Sequence, residues 1–267
     1  MSAVPEPEEI FEKTRLEGER RLERPFVELV ATALAAGFDI ACGVILIAVL
    51  ASPLEHHFGK DAAGVAGALG FGVGFIFLVV GRAELFTENF LVPLAGLQGK
   101  PRNAWWKIGE LWTVSPVCNV LAGLVIALIV STHGVLPGGS GRVLTDVAQK
   151  IHANGTLALF ASAVFAGALI TAMTWFVEGH DSVGIRLTVA WVTGAFLALA
   201  HLNHVIVVTI ELIFGIRFGA HIPWSFVVGN FFLAAAGNMV GGIGLITITR
   251  FTQAKSGSRS GARRASA

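Results

Sequence analysis

Two polar interruptions in a long apolar, glycine-rich sequence carry the side chains best suited to chemistry. The first is Gly81-Arg82-Ala83-Glu84-Leu85-Phe86-Thr87-Glu88-Asn89, with three ionisable groups; the second is Ala200-His201-Leu202-Asn203-His204. Polar groups at bilayer depth are costly and mark either a pathway or a buried pair. A helix broken at that depth exposes backbone amides and carbonyls that only protein or a water-filled cavity can satisfy. Half-helices starting after Thr87 and after His204 would aim positive dipole ends at such a cavity and favour an anion. The Thr87 hydroxyl can donate to a carboxylate or similar oxyanion. The His204 imidazole, which ordinarily titrates near neutrality, can lend a charge or a proton. The two interruptions are therefore expected to face each other across a pore.

The neighbouring residues divide into path and scaffold. Leu85, Phe86, Phe196 and Leu197 flank the interruptions, and apolar side chains there could form constrictions that exclude hydrated ions, although ordinary packing has the same signature. His201 reads equally as a packing residue or as a second polar group on the path. Arg82, Glu84, Glu88, Asp39 and Glu211 are expected to form a structural ion-pair network, because unpaired charge at this depth is prohibitive. Arg82 would pair with Glu84, Glu88 or Asp39 and brace the first break.

The elements that must position these groups follow from composition. The 267 residues are 54% hydrophobic and 14% charged, with a mean hydropathy of +0.71, and the charges collect in short blocks between apolar runs. This excludes an ordinary soluble domain and implies an all-α polytopic membrane protein. A net charge of +1 gives no reason for a nucleic-acid partner. Cys42 and Cys118 fall inside apolar spans, where packing is their role. Zinc-type spacing, a phosphate-binding glycine loop and a nucleophile–base constellation are all missing from the sequence, so neither a metal, a cofactor nor an enzyme is expected.

Residues 1–25 are charged, with Ile10, Leu16 and Leu22 at rough helical spacing, and suggest an amphipathic helix at the membrane surface. Six transmembrane spans fill residues 26–251: Phe26 to Ala51, Ala62 to Arg82 with a continuation to Leu97, Trp105 to Ser131, Ile151 to Phe176, Val183 to Phe214 across the second break, and Phe226 to Phe251. Each reaches the ~20 residues that cross a bilayer. The Ser/Gly/Ala/Arg tail, 252–267, has the composition of a disordered end. Fourteen Lys and Arg fall in the N-terminal segment, the 98–107 and 178–186 loops and the tail, against Lys60, Arg142, Lys150 and Arg217 on the other side. Both termini should therefore be cytoplasmic and the protein multi-pass in a cell membrane, with a bacterial inner membrane the natural setting.

The halves repeat. Ala31 to Gly37 is echoed by Ala161 to Gly167, and Asn119 to Gly123 by Asn238 to Gly242, in the same order. With three spans per repeat the second half enters the membrane inverted, and inverted repeats place a substrate site near the midplane where discontinuous helices meet.

Glu84-Leu85-Phe86-Thr87, Asn203-His204 and the paired asparagine–glycine motifs together resemble the formate/nitrite transporter family, and more closely its YfdC-type branch, over residues 25–251. The resemblance implies a homopentamer in the lipid bilayer, each protomer an aquaporin-like inverted 3+3 repeat with broken second and fifth helices and its own pore. It matches Leu85, Phe86 and Thr87 to the loop in the second span, His204 to the central pore histidine, and Asn119 and Asn238 to the asparagines of the third and sixth spans. It further implies passage of a small monovalent anion such as formate or nitrite, protonated or electrostatically stabilised between two apolar constrictions. Arg82 and Glu88 depart from the small residues usual in the family, and Asp39 and Glu211 add acids that would repel an anion if they faced the pore ionised.

Two other readings belong to this sequence. A pore for a neutral or cationic solute is suggested by Glu84, Glu88 and Glu211. A membrane haem protein could recruit His201, His204, His56 and His57, but His201 and His204 lie three apart on one segment with no facing partner.

Overall fold

Apolar runs this long, with so few charges, can satisfy their backbones only as helices, and the computed structural model is all-helical over its described residues, 4–101 and 104–265, with side chains described through Ser256. Arg102 therefore lies outside the described residues, as do the side chains of Arg259, Arg263 and Arg264. The elements are α1 (Pro7–Glu23), α2 (Phe26–Gly81), a 3-10 turn (Phe86–Phe90), α3 (Val92–Gly96), α4 (Trp105–Val130), α5 (Ser140–His152), α6 (Thr156–Gly179), α7 (Val183–Leu199), α8 (Val205–Arg217), α9 (Trp224–Met239), a π-helical stretch (Val240–Thr247) and α10 (Ile248–Ala265). Among the described residues four helices are long and apolar enough to cross a membrane, and Val183–Leu199 is a shorter apolar helix.

The 56-residue α2 contains a reversal. Gly59, with φ 81 and ψ 172, takes a backbone conformation closed to residues with a Cβ, and beyond it the chain returns antiparallel. A methyl on Gly67 would meet Ile47, and one on Gly74 would meet the backbone of Asp39 and Gly43. The fourth expected span begins at Thr156 rather than Ile151, because residues 140–152 form a separate amphipathic helix, α5. It buries Leu144 and Ala148, and a methyl on Gly215 of α8 would collide with Ala148. Residues 252–265, where composition suggests disorder, continue α10.

Helix α1 turns a narrow buried stripe inward: Ile10, Thr14, Gly18, Arg21 and Leu22. This spacing is one helical face; of the three apolar residues spaced along the segment, Ile10 and Leu22 lie on it, whereas Leu16 is 53% exposed. Gly18 lies against Gly96 and Val92 of α3. The N-terminal segment is thereby packed under the first interruption rather than lying apart from the helices.

A candidate pore site at the two helix interruptions

The helix preceding the first interruption ends at Arg82, which takes a left-handed conformation (φ 52). The helix preceding the second ends similarly, with His201 at φ 49. These are the two described non-glycine residues with positive φ, a conformation that persists only where surrounding structure imposes it. In each case the next amide reaches back to close the helix: Ala83 N donates to Leu78 O and Leu202 N to Leu197 O, both at 3.0 Å.

Two buried asparagines then hold the interruptions open. Asn119 Oδ1 accepts from Phe86 N (3.1 Å), while its amide donates to Ala33 O (2.8 Å) and Glu84 O (3.0 Å). Asn238 Oδ1 accepts from Val205 N (2.9 Å), and its amide donates to Ala163 O (2.7 Å) and Asn203 O (3.2 Å). Carboxamides suit this task because one side chain offers both an acceptor and two donors. Gly37 and Gly167 complete each arrangement, for a methyl at either would collide with the carbonyl of Asn119 or Asn238 respectively. Asn203 is a brace as well. It exchanges amide hydrogen bonds with Asn230 (2.9 and 3.1 Å) and donates to Leu159 O (3.1 Å).

Between the braces, Thr87 Oγ1 lies 2.7 Å from His204 Nε2, with both residues fully buried. His204 also caps α8, accepting the Val207 N–H at Nδ1 over 3.3 Å. A ring nitrogen that accepts carries no proton, so the neutral imidazole of this geometry bears its hydrogen on Nε2 and donates to Thr87. The Thr87 hydroxyl hydrogen is then free to point elsewhere. Protonating Nδ1 would sever the cap, so the arrangement favours hydrogen-bond donation through Thr87 over a resident imidazolium. Both ring nitrogens are engaged, which leaves none for haem, and His56 and His57 lie exposed against each other.

Cavities approach this contact from opposite sides. One of about 490 Å³ is lined by Leu197, His201, Leu202, Asn203 and Glu211 among others. The other, about 80 Å³, is lined by Arg21, Arg82, Glu88, Glu178 and Arg186. Leu85, Phe86 and Phe90, which flank Thr87 in the chain, are buried. Phe86 packs edge-on against Phe90 (5.1 Å) and Phe90 against Trp112 (5.9 Å). Trp112 Nε1 donates to Asn89 O (3.1 Å) and Thr247 Oγ1 to Phe90 O (2.7 Å). Thr247 stands in the π-helical stretch, where an altered helical register lets it and Gly242 face the loop. Trp112, Thr247 and Asn230 carry no sequence signal for this site beyond lying in apolar spans; the structure adds them to it.

Three expectations are corrected. Glu84 and Glu88 do not pair with Arg82, which is exposed and makes no ion pair among the described residues. Their cations come from α1. Arg24 Nη1 lies 2.5 Å from Glu84 Oε2, and Arg21 Nη1 lies 3.6 Å from both Glu84 Oε1 and Glu88 Oε2, with Glu178 at 3.8 Å from Nη2. The reason is geometric: the left-handed turn at Arg82 directs it outward, whereas the buried stripe of α1 faces the acids. Asp39 and Glu211 belong to no ion-pair network; each is buried without a hydrogen-bond or ionic partner among the described residues. Phe196 is 43% exposed and packs on the equally outward Phe165, so only Leu197 of that pair reaches the cavity. Arg21 is held charged. Burial alone would lower the Arg21 pKa, but Glu84, Glu88, Glu178 and Glu17 raise it above the ordinary guanidinium value. Burial likewise opposes ionisation of Glu17, yet Arg20 and Arg21 push it down to about 2.

The sequence matches the family model "Formate/nitrite transporter" over residues 8–252. It is 25% identical over 250 residues to inner membrane protein YfdC of Escherichia coli (strain K12), covering 91% of this chain and 77% of that one. It is 21% identical over 252 residues to the formate channel BtFdhC of Bacillus thuringiensis, covering 93% and 95%. A solved structure described as a pentameric formate channel with formate bound superposes with a TM-score of 0.72 at 20% identity, covering 85% of this chain and 96% of that chain. The chain is thus a membrane protein that belongs to the formate/nitrite transporter family.

Proposed function

We propose that this protein is a homopentameric channel in which each protomer passes a small monovalent anion of the formate or nitrite kind, or its conjugate weak acid. The observation that carries the reading is the buried Thr87–His204 contact at 2.7 Å, with cavities on either side. An anion at this point meets a free hydroxyl donor backed by Nε2–H, and charge-assisted donors of this type are roughly twice as strong as neutral ones. The donor chain supplies stabilisation without a fixed positive charge that would trap the ion, and conduction requires binding weak enough to leave. Nε2–H and the Thr87 hydroxyl act as hydrogen-bond donors and keep their protons; a solute that crosses as the neutral acid takes its proton from vestibule water, not from the neutral imidazole.

The architecture proposed for this path is an inverted 3+3 repeat with broken second and fifth helices. Supporting it, Arg82, Glu84, Phe86 and Asn119 correspond to His201, Asn203, Val205 and Asn238 at one constant offset, each pair in the same local role. The charge asymmetry of the loops supports cytoplasmic termini, with α1 at the cytoplasmic mouth and α5 outside. The similarity to pentameric formate channels supports the oligomer.

The test is uptake of radiolabelled formate or nitrite into proteoliposomes. The wild-type protein is expected to conduct and His204→Ala to lose most of the flux; equal, negligible flux in both would refute the reading. A pore for a neutral or cationic solute is favoured by one observation, the unpaired Glu211 on the outer cavity. Reversal potentials in planar bilayers separate the two, because a cation-selective sign is incompatible with an anion channel.

A further inference from the structure

Two cavities, of about 490 and 380 Å³, meet on the side of the molecule that carries α5, and both are lined by Glu211, His201 and Lys150. Glu211 is only 9% exposed and has no hydrogen-bond or ionic partner among the described residues. Buried carboxyls are ordinarily satisfied by protein groups; this one is left to whatever occupies the vestibule. It stands on α8 about two turns beyond His204, so a solute moving between the vestibule and the Thr87–His204 contact passes it.

From this placement we infer that Glu211 is a specificity-determining residue that admits weak-acid oxyanions, each together with one shared proton, and rejects anions of strong acids. The inference rests on the channel reading above. A carboxylate beside an anion in a low-dielectric cavity repels it, whereas a single proton between two carboxyl-type oxygens joins them in a short, charge-assisted hydrogen bond. Delivery of the proton breaks the O–H bond of the Glu211 carboxyl as an O–H bond forms on the incoming oxyanion. The residual carboxylate is then reprotonated by a hydronium ion of the vestibule, so that one net proton enters with each anion. No electrons move. Nitrate and chloride are too weakly basic to take that proton: from the protonated carboxyl they gain at most a neutral hydrogen bond, and the ionised carboxylate repels them.

The groups that face Glu211 come from three elements. His201 lies at the α7–α8 interruption, Lys150 and Asp146 on α5, and Glu55 and Asp61 on α2. Lys60 bridges Glu55 at 3.8 Å and Asp146 at 4.0 Å. Lys150 lines the vestibule without an ion pair among the described residues, so it can gather anions before they reach the carboxyl.

The experiment compares formate and nitrate uptake under one gradient for wild type, Glu211→Gln, Glu211→Ala and Glu211→Asp in proteoliposomes. Both neutral variants should lower the formate-to-nitrate ratio by about tenfold or more, the discrimination lost when a polar recognition group is removed. The aspartate variant, which keeps a carboxyl, should retain more of the ratio than either. Two neutral variants keep the test open should one fail to assemble. A ratio unchanged in a folded neutral variant overturns the assignment. Infrared difference spectra on formate addition supply the second readout: a carboxyl band present in wild type and absent in Glu211→Gln supports the site even if no flux is seen and the channel reading fails, and its absence from wild type overturns it.

Discussion

Replacing Asn238 by Ala tests how the second interruption is held. The side chain is fully buried and makes three hydrogen bonds to backbone, with Val205 N at 2.9 Å, Ala163 O at 2.7 Å and Asn203 O at 3.2 Å. Ala163 lies within α6 and keeps its place in that helix. Val205 opens α8, so its amide has no intrahelical acceptor, and Asn203 lies outside both helices. Two backbone groups are therefore orphaned. At about 1–3 kcal/mol for each unsatisfied buried group, the loss is about 2–6 kcal/mol. Interhelical hydrogen bonds in membranes average only ~0.6 kcal/mol because the partners find substitutes, but an amide at the start of a buried half-helix has none. The thermal midpoint should fall by roughly 5–20 °C, using the scale for domains of this size. A thiol-reactive dye reads this directly, since buried Cys118 is exposed on unfolding. Asn119→Ala removes the equivalent set of bonds and should cost a similar amount. A shift below about 2 °C in both variants would refute the view that these carboxamides carry the interruptions.

The other predictions concern the donor pair and the N-terminal helix. Thr87→Val keeps the shape of the side chain but removes the hydroxyl in contact with His204; formate flux should drop by about tenfold or more, the worth of one hydrogen bond to a charged group. Arg24→Ala leaves Glu84, 1% exposed, with only Arg21 at 3.6 Å, and breaking a buried pair costs about 3–5 kcal/mol. Spin labels on α1 should report its release, and flux recorded alongside tests whether α1 gates the mouth; deleting residues 1–24 without altering the pH dependence of flux would remove that role. Against its burial, Arg20 and Arg21 of the same helix hold the Glu17 pKa down, which gives the folded α1 a definite pH window. Its contribution is present above the ordinary carboxyl value of 4.5 and is lost as pH falls from there through about 2, so the same labels should see no change from this group between pH 5 and 8 but loosening in stronger acid.

The interruptions were legible because hydropathy is a local property. Three ionisable residues between Gly81 and Asn89, or two histidines and an asparagine between 200 and 204, stand out against apolar flanks whatever surrounds them. The asparagine–glycine matches were legible for a related reason: a carboxamide and a close backbone approach are both needed at a held break, so the same residue types recur at Asn119 with Gly37 and at Asn238 with Gly167. Partner choice was not legible. Glu84 is two residues from Arg82 in sequence, yet the chain between them runs through a left-handed turn, and the cation at 2.5 Å is Arg24. A signal existed in α1, since Arg21 falls on the stripe that buries Ile10, Thr14 and Gly18. Hydrophobicity alone marked Ile10 and Leu22 of that stripe together with the exposed Leu16 and missed Arg21, because a buried arginine looks like a surface residue until its acids are located.

The same distinction bears on what sets selectivity. An acid in an apolar span can be neutralised by a cation, or it can face a cavity and wait for its partner, and sequence does not separate the two. The structure does so for these acids. Glu84 and Glu88 are tied to α1, so their charge is largely spent on docking that helix and need not oppose an anion at Thr87. Glu211 has no such cation, and it sits at the vestibule rather than at the donor pair. If Glu84 and Glu88 were the acids that matter for selectivity, weakening their pairing through Arg24→Ala would change ion preference; if Glu211 is, the ratio of formate to nitrate should survive Arg24→Ala and fall in Glu211→Gln. The two substitutions lie on opposite sides of the Thr87–His204 contact, share no partner and should act independently, so measuring both in one preparation separates a charge that builds the channel from a charge that meets the ion.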